Sequence, residues 1–407
     1  MRTELTNCRV FDGISAQISA PQRVVVESNK IVSIGAAQTQ TPVDQSIDLS
    51  SMTLMPGLID AHFHCNSPSF DIPGLDRFTP SHLAQFARKH LEDMLQLGFT
   101  SVRDAGGADV GLVRAVEEGL IDGPRLLIAG KAISQTGGHG DFRVPGQEDY
   151  CGCAYKGALS VVVDGVDEMR RQVRDAFHHG AHHIKLFVSG GVLSPSDPIW
   201  MDQFHESEIA AAVEEAKTRG SYVMAHAHTA NAAVRCVKNG VRSIEHGTMI
   251  DQQTADYVAD HQAFVVPTLS VIAALKSEVS GLPEESRQKL EVVADKAFKA
   301  IEHCQNAGVQ LGFGTDYFGH LHGQELMELT ERAKVQSNLE VLKSATSVNA
   351  ALIQKENALG VVQTGALADL IVIDGNPLDD ISAMSDAKNI KLVMKDGRIV
   401  RNEIGRN

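Results

Sequence analysis

Apolar residues follow two different spacings, and the spacing changes twice along the chain. Near the N-terminus, Val24-Val25-Val26 and Ile31-Val32-Ser33-Ile34 are β-branched runs on either side of Ser28-Asn29-Lys30, which is a hairpin pattern. Near the C-terminus, Leu370-Ile371-Val372-Ile373 closes on Asp374-Gly375, and the run from Ile390 to Val400 folds back at Asp396-Gly397. Between these ends, strand and helix patterns alternate. Strands are expected at 52–64, 100–104, 125–130, 183–188, 222–228, 243–248, 263–269 and 310–316. Helices are expected near 81–97, 164–180, 206–219, 230–239, 251–261 and 284–307, with a long glycine-rich loop at 135–158. Eight strand units with intervening helices predict an α/β fold, a (β/α)8 TIM barrel. The all-β ends predict one small β-sandwich domain formed by both termini, 1–54 with 360–407. The barrel, 55–359, is then an insertion between them.

Composition narrows the class. A chain of 407 residues exceeds what one core usually serves, which agrees with a large unit plus a small one. The apolar share of 43% and charged share of 22% are those of an ordinary soluble enzyme. A net charge of −14 without a basic stripe argues against a nucleic-acid partner. No run of about 18 apolar residues is present, so no membrane partner is expected. The first seven residues lack the apolar core of a signal peptide, so the chain reads as cytoplasmic. Cys8, Cys65, Cys151, Cys153, Cys236 and Cys304 are scattered, without repeated Cys-x-x-Cys pairs. That usage fits a reducing compartment, and Cys151-Gly152-Cys153 reads as incidental rather than as a redox pair.

The chemistry gathers at strand ends, where such barrels carry their active sites. The first strand ends in His62-Phe63-His64, two imidazoles that the strand period of two puts on one face. The fourth carries Lys185 before Ser189-Gly190-Gly191. The fifth ends in His226-Ala227-His228, the sixth in Glu245-His246-Gly247, and the eighth in Gly314-Thr315-Asp316. Any one of these has an ordinary structural reading. Lys185 could extend along the surface, His246 could be a core histidine, and Asp316 could cap a helix. Their joint placement at the ends of strands in one barrel points to a shared ligand.

These pieces resemble the amidohydrolase superfamily, in its binuclear-metal branch. The resemblance rests on 56–64 (Pro-Gly-Leu-Ile-Asp-Ala-His-Phe-His), on Lys185 with Ser189-Gly190-Gly191, and on Ala225-His226-Ala227-His228. It rests also on Ser243-Ile244-Glu245-His246-Gly247 and Gly312-Phe313-Gly314-Thr315-Asp316. It spans essentially the whole chain. Within the branch, the segments 189–195, Thr136-Gly137-Gly138-His139-Gly140 and 345–350 are similar to the Xaa-Pro dipeptidase-like and ochratoxinase-like members. At the second residue after His226 the dipeptidases often have tyrosine. His228 stands there, which is closer to the ochratoxinase-like group.

The resemblance implies two divalent metal ions, with zinc ahead of manganese and cobalt. His62, His64 and Asp316 would hold the more buried ion and His226 and His246 the more exposed one. Lys185, carboxylated by CO2, would bridge them. A metal-bridging hydroxide would be the nucleophile, and Asp316 would act as general base and then acid. His139 and His228 would meet the substrate. The implied reaction is hydrolysis of an amide bond to an amino acid with a free carboxylate: a dipeptide, an N-acyl amino acid or an ochratoxin-like conjugate. The implied partner is that small molecule, and a homo-oligomer is expected. Two other readings stand beside it. One is a mononuclear amidohydrolase acting on a cyclic amide or amidine, like imidazolonepropionase or a deaminase. The other is a non-catalytic scaffold of the same fold. Arg103 and Asp104 read as packing and charge balance inside the barrel. His320 and His322 lie on a loop that could reach substrate. His178, His179, His182 and His183 fall on the far side of the barrel from the strand ends.

Overall fold

A computed structural model describes residues 1–35, 42–143, 156–194, 197–277 and 282–405. Cys151 and Cys153, Pro195 and part of the loop expected at 135–158 lie outside these residues.

Both chain ends enter one sheet. Strands β1 (Arg2–Val10), β2 (Gln22–Glu27), β3 (Lys30–Gly35), β4 (Gln45–Asp48) and β5 (Thr53–Pro56) come from the N-terminal end. Parallel strands follow. They are β6 (Leu58–Phe63), β7 (Phe99–Asp104), β8 (Arg125–Ile128), β9 (Ala132–Ser134), β10 (Ser160–Val162), β11 (Ile184–Phe187), β12 (Val223–Thr229), β13 (Ser243–Met249), β14 (Phe264–Val266) and β15 (Gln310–Leu311). The C-terminal end adds β16 (Leu370–Ile373), β17 (Ile390–Lys395) and β18 (Arg398–Asn402). The terminal strands form an eight-stranded sheet in the order β18-β17-β16-β5-β1-β2-β3, with β4 paired to β1. Its central contact is the antiparallel pair β5–β16, Leu370 opposite Pro56.

The inner strands form a three-stranded parallel sheet, β6-β7-β8, and a seven-stranded one, β10-β9-β11-β12-β13-β14-β15. Backbone bonds join the two sheets at both edges. At one edge Ala61 N–H donates to Phe313 O (2.9 Å) and Asp316 N–H to His62 O (2.8 Å), and at the other His182 N–H donates to Ile128 O (2.7 Å). The Asn349 amide spans the first seam, donating to Ile59 O and Phe313 O at 2.7 and 2.8 Å. Helices pack outside, so β6 and β7 are buried along their whole length, polar residues included.

Strands β9 and β10 and helix Val110–Glu117 were not expected, and two further differences bear on the site. The strand expected at 52–64 is broken at Gly57 into β5, in the terminal sheet, and β6, in the inner one. A Cβ at 57 would meet Thr100 Oγ1 at 2.2 Å, so a residue with a side chain would push β7 away. The other is an unexpected helix, Leu269–Ser277, directly after β14.

Candidate active site

The C-terminal ends of the inner strands converge on one cleft, and all eight candidate residues line it. His62 Nε2 and His64 Nε2 each lie 3.3 Å from Asp316 Oδ1. One donor atom from each of these three falls within 4.8 Å of the other two, a cluster suited to a divalent cation. Lys185 Nζ is 3.4 Å from His62 Nε2. The His246 ring centre is 5.0 Å from that of His62 and 4.6 Å from that of His226. His228 stands 4.7 Å from His226 and 5.0 Å from His246, and His139 stacks on His226 at 4.3 Å.

Each of these imidazoles has one nitrogen tied to the protein, which leaves the other to face a ligand. His62 Nδ1 meets Glu245 Oε2 at 2.7 Å, and His64 Nδ1 meets Gly106 O at 2.9 Å. His246 Nδ1 meets Thr268 Oγ1 and His228 Nδ1 meets Thr248 Oγ1, both at 2.8 Å. His226 uses Nε2, 3.2 Å from Gly190 O. Asp60 fixes the opposite wall, accepting the Thr315 hydroxyl at 2.6 Å and the His62 N–H at 2.9 Å.

The electrostatics favour metal-binding forms. Burial holds His226 and His246 well below the usual imidazole range, so both rings are neutral, the form a metal would require. Burial alone would raise Asp316, but the neighbouring His62 and its hydrogen bonds hold the carboxyl well below its ordinary value. Lys185 is fully buried, and desolvation pushes its ammonium down to about 8, which brings the free amine within reach of neutral pH. The donor set therefore fits divalent metal.

The backbone at this point is strained. His246 has φ +71°, Asp316 +55° and Thr268 +48°, all in the left-handed region that side chains avoid. Such residues cost of order 1–3 kcal/mol each and persist where the surroundings over-determine them.

Above these side chains the cleft opens towards solvent. Its walls are apolar: Val271, Ile272 and Leu275 from helix Leu269–Ser277, Leu290 and Val293 from helix Glu284–Ala307, with Phe142 and Phe318 from loops. Among the described lining residues, Lys185 is the only lysine or arginine.

Residues 53–400 match the amidohydrolase family. The chain belongs to the amidohydrolase family. It is 34% identical to the ochratoxinase of Aspergillus niger over 398 residues, covering 93% of this chain and 82% of that protein. A solved prolidase complexed with N-methylphosphonate-L-proline superposes with a TM-score of 0.95 and 42% identity, over 99% of this chain and 100% of the other. A solved Xaa-Pro dipeptidase with bound methionine gives 0.90 and 31% over the same shares. This amidohydrolase is accordingly a hydrolytic enzyme acting on C–N bonds. No helix among its described residues is long and apolar enough to cross a membrane.

The sequence reading gave Glu245 no role of its own around this amidohydrolase site, and it took Arg103 and Asp104 as packing and charge balance, as the structure has them. Glu245 and Arg103 are fully buried, and Arg103 Nη2 donates to Glu245 Oε1 at 2.9 Å. Arg103 also donates to Ala61 O (2.5 Å) and Ser243 Oγ (2.9 Å), so it ties three strands together. Burial would raise the Glu245 carboxyl, but Arg103 and then His62 hold it down at about 2. Asp104 accepts the N–H groups of Cys65, Gly106 and Ala108, a loop-fixing role. His322 does not reach the cleft. It stacks on His90 at 3.8 Å and meets Ser67 Oγ at 3.0 Å, and Ser67 in turn donates to His64 O. Nothing local in the sequence marks these partners, which meet across strands and loops.

Proposed function

We propose that this amidohydrolase cleaves an amide bond to an amino acid that keeps its free carboxylate, in a dipeptide, an N-acyl amino acid or an aroyl-phenylalanine conjugate. The observation that carries the reading is Lys185: a buried amine 3.4 Å from His62 Nε2, at the foot of an apolar cleft. As a carbamate it gains a negative charge and two oxygens, which suits a position between two cations. His62, His64 and Asp316 would hold one ion and His226 and His246 the other, with zinc the first choice. When bound, the ions supply Lewis-acid polarisation of the carbonyl and acidify a water.

The chain's own groups do the rest. Asp316 takes the proton of the attacking water and returns it to the departing amine. His228, its Nδ1 fixed by Thr248, offers Nε2 to the carbonyl side of the substrate. The apolar walls receive a large hydrocarbon or aromatic group, each buried methylene being worth about 0.8 kcal/mol. A single-metal, deaminase-like or imidazolonepropionase-like chemistry leaves Lys185 without a task. We read the two joined parallel sheets as the expected closed barrel and the eight-stranded terminal sheet as the expected sandwich domain. A cytoplasmic homo-oligomer remains our reading of the assembly.

The test is a hydrolysis screen of the zinc-loaded protein on dipeptides and N-acyl amino acids varied at the C-terminal residue. Cleavage that disappears when the carboxylate is amidated supports the proposal. Two bound metals with no cleavage on the panel, or indifference to amidation, overturns it. Lys185→Ala should lose most of the bound metal and nearly all turnover; wild-type-like turnover in that variant sinks the two-metal reading.

A further inference from the structure

Behind the cleft, three side chains form a line between two loops. Ser67 Oγ is 3.0 Å from His322 Nε2, and His322 Nδ1 is 3.3 Å from Glu325 Oε1. His90 lies flat on the His322 ring at 3.8 Å. The side chains of His322 and Glu325 are 4% and 1% exposed, and Ser67 is fully buried. The order is that of a serine–histidine–carboxylate triad. None of the three lines the cleft, so the line holds no second nucleophile for a substrate there. Its end lies on the backbone of His64 instead.

Ser67 fixes every proton in the line. Strand β6 ends at Phe63, so the His64 carbonyl lies beyond it. Ser67 Oγ approaches that carbonyl at 2.5 Å, and the Tyr317 carbonyl at 3.3 Å. A carbonyl oxygen only accepts, so the single Ser67 proton points at the backbone. Ser67 Oγ therefore accepts from His322, whose ring proton is on Nε2. Burial holds that ring down at about 3, so it is neutral and its Nδ1 is bare. The atom facing Nδ1 must then donate, and Glu325 Oε1 donates only when protonated. The other oxygen, Oε2, takes the Gly323 N–H at 2.9 Å. Burial favours the acid form, raising this carboxyl to about 7. The titratable groups acting on Glu325 are His322, His90, Asp93 of helix Pro80–Gln96, Asp60 of β6 and Tyr317. Among the described residues, no lysine or arginine stands within ion-pair distance of it.

We propose that Glu325 acts as a neutral carboxylic acid that positions His64: it donates to His322, His322 donates to Ser67, and Ser67 holds the His64 carbonyl. All three are positioning residues. Removing one proton from the line reverses it. The carboxylate then accepts from Nδ1, which takes the one remaining ring proton, and Nε2 is bare. Ser67 turns its hydroxyl proton from the His64 carbonyl to Nε2. His64 keeps its ring contact to Gly106 O and loses the hold on its backbone. The bearing on metal rests on the assignment of His64 as a ligand above; the proton positions do not.

The experiments use the full chain. In infrared spectra taken on the acid side of neutrality, the wild type should show a protonated-carboxyl band that Glu325→Gln lacks. The band should fade as pH rises through about 7. No difference between the two proteins overturns the proposal. In spectra of [¹⁵N]histidine-labelled protein, the ring resonances lost in His322→Gln should report a proton on Nε2 and a bare Nδ1. The opposite tautomer overturns it. Should His322→Gln fail to fold, the ring resonances that move in Glu325→Gln identify the same residue. The effect on the site is read as zinc affinity by chelator competition. Glutamine keeps an N–H for His322 Nδ1 at every pH. The two proteins should therefore bind zinc alike at about pH 6, with the wild type about tenfold weaker at about pH 8.5. Parallel pH profiles overturn the positioning role. A wild type that binds no zinc at either pH overturns the ligand assignment of His64 instead, and the two kinds of spectra then still decide the protons.

Discussion

Glu245 and Arg103 do not line the cleft, yet they orient His62, one of the proposed metal ligands. Glu245 accepts the hydrogen bond of His62 Nδ1–H and so turns Nε2 inward, and Arg103 balances the carboxylate where neither meets water. Glu245→Gln should lower metal affinity by about 10- to 100-fold, as for outer carboxylates generally, measured by chelator competition. Arg103→Met strands a buried anion and should cost about 3–5 kcal/mol in urea unfolding. His90 and His322 form a second buried pair, and burial holds them at about 4 and about 3 against an ordinary 6.5. Below pH 6.5 the unfolded chain takes up protons that the folded rings refuse. Their contribution to stability is therefore whole above pH 6.5 and falls as pH drops towards their folded values, by up to about 1.4 kcal/mol per pH unit for each ring. His90→Gln should flatten that acid limb in pH-dependent unfolding; an unaltered limb refutes the assignment. The candidate residues that line the cleft were legible because the strand period puts His62 with His64, and His226 with His228, on common faces. Arg103 and Glu245, 142 residues apart, had no such signature. They meet only when strands from opposite parts of the inner sheets face one another.

Helix Leu269–Ser277 was hidden for a related reason. Leu269, Ser270, Val271, Ile272 and Leu275 are all buried, so its run lacks the polar face that would reveal a helical period. It reads as a continuation of β14, which is in fact only Phe264–Val266. The three-residue strands β9 and β10 are too short to show any period, and they fell within or beside the expected loop. Longer elements were found at nearly their expected places, as for helix Val166–His178 and strand Ser243–Met249. The hidden helix has a specific support. Glu328 accepts the N–H groups of Leu269 and Ser270 at 3.2 and 2.6 Å, where a helix leaves its donors unpaired. Glu328→Ala should loosen that end and move Val271, Ile272 and Leu275. The expected result is a KM for apolar N-acyl amino acids that rises more than kcat falls, with metal content retained.

At the scale of the molecule, the terminal sheet and the inner strands share one apolar core. Ile371, Ile373, Ile390 and Val393 from β16 and β17 pack in the same cluster as Leu58, Phe99 and Phe313. The two parts should therefore unfold together. Heating should give one transition, coincident by far-ultraviolet circular dichroism and by the fluorescence of the single tryptophan, Trp200; two separated transitions would show independent units. The discontinuous arrangement was legible because both ends carry β-branched hairpin patterns and the middle does not. The pairing of β5 with β16 also bears on how the protein is made. Residue 56 leaves the ribosome 314 residues ahead of residue 370. At about 5–20 residues per second, that is roughly 15 to 60 s of translation. Throughout it, the edge of β5 that faces away from β1 lacks its partner strand. The nascent chain is thus a client for whatever holds unpaired strands apart, and slower synthesis should worsen its yield.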